Sequence, residues 1–110
     1  MPRTEIYSLS LDEARSMIRR AIVEYNLSGE LCDHYVVDSP AGRCETLVFE
    51  KHFYRAGNRL TLTVVLDDFT GSTRVHCCAG GGGEGLLRFD WGASKSFEDE
   101  VFSELERYKK

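Results

Sequence analysis

Apolar positions in this chain recur with two different periods, and the points where the period changes mark its elements. Thr4–Leu9 alternates, with Ile6 and Ser8 on one side and Tyr7 and Leu9 on the other, which predicts a short strand. The spacing then becomes helical: Leu11, Ala14, Met17, Ile18, Ala21, Ile22 and Tyr25 form one apolar stripe. Asp12, Arg15, Ser16, Arg19 and Glu24 take the opposite, solvated face. Ser10 and Glu13 fit a capping box, in which each side chain satisfies a backbone N–H at the helix start. Gly29 is the predicted stop, as a residue that tolerates the left-handed conformation near a C-cap.

Beyond Gly29 the period is two. Leu31–Asp38 and Cys44–Tyr54 predict strands joined by the turn Ser39-Pro40-Ala41-Gly42, with proline pre-set for the first inner position. Leu47, Phe49 and Phe53 face one way along the second of these. Gly57-Asn58 turns the chain into Arg59–Leu66, and a looser turn closed by Gly71 leads to Thr73–Ala79. Leu86–Trp91 predicts one more strand, broken by Gly92. Ser94 or Ser96 then caps a second helix with Phe97, Val101, Phe102, Leu105 and Tyr108 on its apolar side.

The predicted order is β-α-β-β-β-β-β-α in a single α+β domain spanning 1–110. Short turns between consecutive strands imply an antiparallel meander. Two amphipathic helices must bury their stripes, and one face of that sheet is the apolar surface on offer. The expectation is a two-layer sandwich with both helices on one face and the reverse left free.

Composition narrows the class. At 110 residues, 42% hydrophobic and 29% charged, the chain can bury a core without a disulfide or metal. The net charge of −4 does not favour nucleic acid or an anionic membrane as partner. The longest apolar-rich run, Leu60–Leu66, is too short to span a bilayer, and the N-terminus lacks the apolar stretch of a signal peptide. A cytoplasmic protein with reduced cysteines is expected.

The candidate chemistry centres on Gly80, Gly81, Gly82, Gly83, Glu84 and Gly85, a run too costly in chain entropy to serve a core. Gly80, Gly82 and Gly85 satisfy G-x-G-x-x-G on paper. That motif needs a helix opening behind it, however, and a strand is predicted here, with Glu84 placing negative charge in the cradle. A flexible connection is the plainer reading, and a small-ligand pocket that adds Trp91 and Tyr54 is the alternative.

Strand parity puts Cys32 with His34, Cys44 with His52, and His76 with Cys78, and all six could share the face away from the helices. A zinc site would need about four such ligands at ~2.0–2.3 Å, yet no paired metal-ligand spacing is present, so His34, His52, His76 and Cys78 remain outside candidates. No cofactor is called for. A thiol nucleophile needs an adjacent base, and His76 and Cys77 point to opposite faces. The scattered arginines, Arg15, Arg19 and Arg20 among them, read as a solvated surface.

The reverse face carries Val36, Val48, Val65, Tyr54, Cys44 and Cys78, greasier than a wet face needs to be. The expected function is therefore a non-enzymatic interaction module, homodimeric through that face, with a small-molecule carrier as the alternative and a thiol or zinc enzyme behind it. The element order resembles a reduced helix-grip fold of the Bet v 1 and START type. It is also similar to the TATA-binding-protein-like arrangement, which has one strand fewer. The glycine run followed by Phe89-Asp90-Trp91-Gly92-Ala93 resembles short bacterial proteins of uncharacterised function. These likenesses imply a fold and carry no site residue across.

Overall fold

Ser10 begins the first helix as its capping box predicts. Its hydroxyl accepts the Glu13 N–H at 3.1 Å, and the Glu13 carboxylate accepts the Ser10 N–H at 3.1 Å. The computed structural model describes residues 2–25, 28–53, 58–81 and 87–110. Strand β1 (Arg3–Tyr7) leads into helix α1 (Leu11–Arg19), which continues as a π-helical turn over Arg20–Glu24. Leu11, Ala14, Ile18, Ala21 and Ile22 are buried, whereas Tyr25 is 63% exposed. The π turn explains this: the Tyr25 N–H reaches back five residues to the Arg20 carbonyl at 3.1 Å, so Tyr25 leaves the stripe set by the α-helical period. Gly29 is not a left-handed cap. A Cβ at that position would collide with the Ile22 carbonyl oxygen, and close backbone approach is what requires glycine there.

Four further strands follow: β2 (Glu30–Ser39), β3 (Gly42–Phe53), β4 (Asn58–Asp67) and β5 (Thr73–Gly81). They form an antiparallel sheet with β1 in the order β1-β5-β4-β3-β2. Leu47 stands opposite Val64 and Val64 opposite Cys77, while Phe49 stands opposite Leu62 and Leu66 opposite Val75. These residues are fully buried and share one face, the outcome of strict alternation along β3, β4 and β5.

The last predicted strand is a helix. Helix α2 runs Leu87–Leu105, so the order is β-α-β-β-β-β-α with five strands rather than six. Leu87, Phe89 and Trp91 alternate as a strand would, but Leu87, Trp91 and Val101 also keep helical phase with Phe97 and Leu105. A short apolar run fits either period, and the helical one extends through Gly92 despite its cost of about 1 kcal/mol relative to alanine. The predicted start at Ser94 or Ser96 is accordingly late by about two turns. Glu98 is buried at mid-helix and accepts the Ala79 N–H at 2.8 Å.

Ile18 and Ile22 from the first helical segment and Phe97, Val101, Phe102 and Leu105 from α2 join the buried sheet residues in one cluster. Among the described residues no helix is long and apolar enough to cross a membrane.

The two edges of the sheet differ. Beside β1, Ser8 donates its N–H to Tyr108 and Lys110 donates to Ile6, both at 2.9 Å, so residues 108–110 lie along the Ile6–Ser8 end of that edge. On β2 no described segment does the same. Every β2 residue except Leu31 is exposed, and β3 is its chief neighbour.

Candidate functional site

The expected pocket residues fall in β5, in α2 and outside the described residues. Gly80 and Gly81 are not loop: they extend β5, opposite Thr61 and Leu60. Among the described residues nothing lies within 4 Å of where a Gly80 Cβ would sit, so no close approach requires glycine at that position. Gly82, Gly83, Glu84, Gly85 and Tyr54 lie outside the described residues. Trp91 is part of α2, and its side chain is likewise outside the description.

The cysteines and histidines do not share one face. A bulge between Leu31 and Asp33 resets the parity of β2, so His34 stands opposite Leu47 and Val36 opposite Glu45, on the helix side of the sheet. This overturns the placement of His34 and Val36 on the reverse face. Cys44, His52, His76 and Cys78 do occupy that face, on β3 and β5, with β4 between them. His76 Nδ1 lies 2.7 Å from the Thr4 hydroxyl across the β1–β5 ladder. At His52 the backbone N–H donates to the Ser28 hydroxyl at 3.3 Å, and that hydroxyl donates to the His52 carbonyl at 3.1 Å. Among the described residues no three His, Cys, Asp or Glu side chains converge as a metal site requires.

Burial pushes the thiols of Cys44 and Cys77 up, away from the thiolate form that nucleophilic attack needs. Cys32 is raised as well, by burial and then by the charges of Glu50 and Glu30.

What the fold does assemble is the outer strand and its charged rim. On β2, Tyr35, Val36 and Val37 are consecutive and 62%, 41% and 44% exposed. Alternation sends Tyr35 and Val37 to the outer face, opposite Thr46 and Cys44, and Val36 to the helix side. Neither face of the strand is covered, which is uncommon for a strand with three adjacent large apolar residues.

Beside it sits Glu45, a fully buried carboxylate. Arg15 donates to both of its oxygens, at 3.1 and 2.9 Å, and His34 Nε2 lies 2.6 Å from one of them. The Arg43 guanidinium is 3.7 Å away, and it also donates to Asp38 at 2.8 Å and to Asp12 at 3.3 Å. A buried carboxylate persists only when paired and hydrogen-bonded, and this one has partners from α1, β2 and its own strand. The network therefore fixes the His34 and Asp38 side chains on a strand whose backbone is held by β3 alone in the sheet. Next to it, Ser10, Asp12, Asp38, Arg43 and Asp68 line an open hollow of about 430 Å³, at the end of the sheet opposite Gly81.

Sequence reasoning missed Glu45 and Arg15. The signal was present for Glu45, which shares the parity of Leu47 and Phe49 and so had to face inward.

The architecture is that of an α+β domain with two helices and a five-stranded antiparallel sheet. The chain belongs to DUF6054, a family of unknown function whose model matches residues 3–109. No curated protein and no solved structure matches it.

Proposed function

We propose that this protein acts by binding rather than by catalysis, as a homodimer that meets its second copy through β2 and the adjoining outer face of the sheet. One observation carries the reading: Tyr35, Val36 and Val37 lie exposed side by side on an edge strand that is bare on both faces. The bulge between Leu31 and Asp33 and the inward charge of Asp38 blunt the two ends of this edge, but from Asp33 to Ser39 it has no lysine and no proline, and no described segment covers it. The half-buried Ile6, Val48 and Val65 extend the apolar character across the outer face. Raised thiols at Cys32, Cys44 and Cys77 support the non-catalytic part of the reading.

In this picture the molecule is a two-layer sandwich, its helices on one face and its β2 edge, with the outer-face residues Tyr35 and Val37, kept for the partner. With five strands the element order is that of the TATA-binding-protein-like arrangement, a likeness of order alone. A small-molecule site beneath α2 is the alternative.

Sedimentation velocity at micromolar concentration tests the proposal. A dimer is expected, and the double variant Tyr35→Ser/Val37→Ser, which alters exposed side chains only, should become a folded monomer whose melting temperature no longer rises with protein concentration. A wild-type monomer at tens of micromolar ends the proposal. A small molecule retained in native mass spectra of that monomer would establish the alternative.

A further inference from the structure

The backbone of β2 carries more information than its side chains. Arg43 donates its N–H to the Asp68 carboxylate at 2.8 Å, and its carbonyl accepts from the Asp68 N–H at 3.3 Å, so both groups point toward β4. Residues of an antiparallel ladder alternate in direction, so Cys44 and Thr46 must direct theirs toward β2. Their partners Val37 and Tyr35 are the β2 residues hydrogen-bonded to β3. It follows that Asp38, Val36 and His34 aim their N–H and C=O groups outward from the edge. Among the described residues nothing accepts or donates there.

That open stretch has two ends. Pro40 has no N–H and closes one, and the bulge between Leu31 and Asp33 closes the other. Asp33–Ser39 lies between them, and its midpoint is Val36.

Resting on the homodimer reading above, the geometry points to a specific interface: β2 pairs antiparallel with β2 of a second copy, with Val36 on the two-fold axis, joining the two sheets into one. A two-fold axis normal to a sheet preserves its faces, so each residue must meet one of its own parity. Centring on Val36 sets Val36 against its own copy, Tyr35 against Val37, and His34 against Asp38. The outward-pointing residues then form the hydrogen-bonded pairs, closing about six backbone hydrogen bonds.

Neighbouring registers fit worse. Centring on Tyr35 sets His34 against Val36 and Asp33 against Val37, and centring on Val37 sets Val36 against Asp38, each placing charge against an apolar side chain. The Val36 register alone matches apolar with apolar and imidazole with carboxylate. His34 and Asp38 are already held for that encounter, by Glu45 at 2.6 Å and Arg43 at 2.8 Å.

Val36→Pro is the decisive variant. It removes an outward N–H that makes no bond within the chain, so the fold should tolerate it as edge strands tolerate proline. The expected result is a dimer dissociation constant raised by at least about a hundredfold, from two lost dyad hydrogen bonds and their unpaired carbonyls. The far-UV spectrum should be unchanged, and the melting temperature should match that of the wild type diluted to its monomer.

Oxidative cross-linking provides a second readout, in a background where Cys32, Cys44 and Cys78 are serine. Val36→Cys should link two chains, because directly opposed residues lie at about 5.5 Å between Cα atoms, within disulfide reach. Tyr35→Cys, offset from its own copy, should not. If Val36→Pro loses its fold, the cross-linking pattern decides. A wild-type dimer that survives Val36→Pro folded and intact, or that links through Tyr35→Cys and not Val36→Cys, overturns this register and leaves the homodimer standing. A wild-type monomer overturns both.

Discussion

Glu45 shows how one residue can set the properties of a strand next to its own. It is fully buried, and Arg15 supplies two of its hydrogen bonds. Arg15→Ala would leave that carboxylate with His34 and a more distant Arg43, and breaking a buried pair from one side costs about 3 kcal/mol. Urea denaturation should show that loss, and the double variant Arg15→Met/Glu45→Leu should recover most of it, since the pair's own desolvation also disappears. Equal loss in both would mean that the arginine stem, and not the ion pair, carries the effect.

Tyr7 is the opposite case. Its hydroxyl is buried and, among the described residues, has no hydrogen-bond partner, so Tyr7→Phe should raise stability by about 1 kcal/mol. Burial also pushes the Tyr7 hydroxyl up, as it does the Cys77 thiol, both from ordinary values of 10.0 and 9.0. Raised folded-state values mean that stability is complete below about pH 9 and falls as pH rises, because the unfolded chain releases these protons first. The denaturation midpoint followed from pH 7 to 11 should hold and then drop, and Tyr7→Phe should drop less steeply above pH 10. Identical slopes would show that the hydroxyl does not contribute.

At the scale of elements, legibility depended on whether local pattern and tertiary context agreed. α1 was readable because cap, stripe and period all pointed the same way, and it departs from expectation only where the π turn shifts Tyr25. β3, β4 and β5 were readable from clean alternation, and the parity of Leu47 and Phe49 already implied a buried Glu45. α2 was not, since Leu87–Trp91 satisfies both periods and the helix runs on through Gly92, a residue that argues for an ending. The β2 bulge was the hardest. One extra residue exchanges the two faces of the strand, and nothing in Leu31-Cys32-Asp33 announces it. The mistaken grouping of His34 with the outer-face cysteines and histidines descends from that single residue. In the Gly80–Gly85 run, Gly80 has open space where a Cβ would sit, whereas Gly81 takes a φ of +94° that favours glycine; the charged rim, in contrast, reads as an ordinary solvated surface.

At the scale of the whole molecule, the unequal edges decide what kind of assembly is open to it. A sheet with two free edges adds copies without limit, whereas a sheet with one free edge pairs once and stops. Here residues 108–110 line the Ile6–Ser8 end of the β1 edge, through Ser8 to Tyr108 and Lys110 to Ile6, and Lys109 pairs with Tyr7. Lys109 also reaches Glu5 at 3.4 Å, bringing positive charge to that edge. Truncation after Tyr108 tests the idea. It removes the Lys110 bond and the lysine charges while keeping Tyr108, which packs against the core. With β2 already joined to a second copy, the Ile6 end of β1 becomes a second sticky edge, and dimers can add end to end. Light scattering of the truncated chain should then show species larger than a dimer that grow with concentration. In the same truncated chain, Val36→Pro should reduce them by closing the other edge. A truncated protein that stays a clean dimer would mean that the last two residues are not what keeps β1 from pairing.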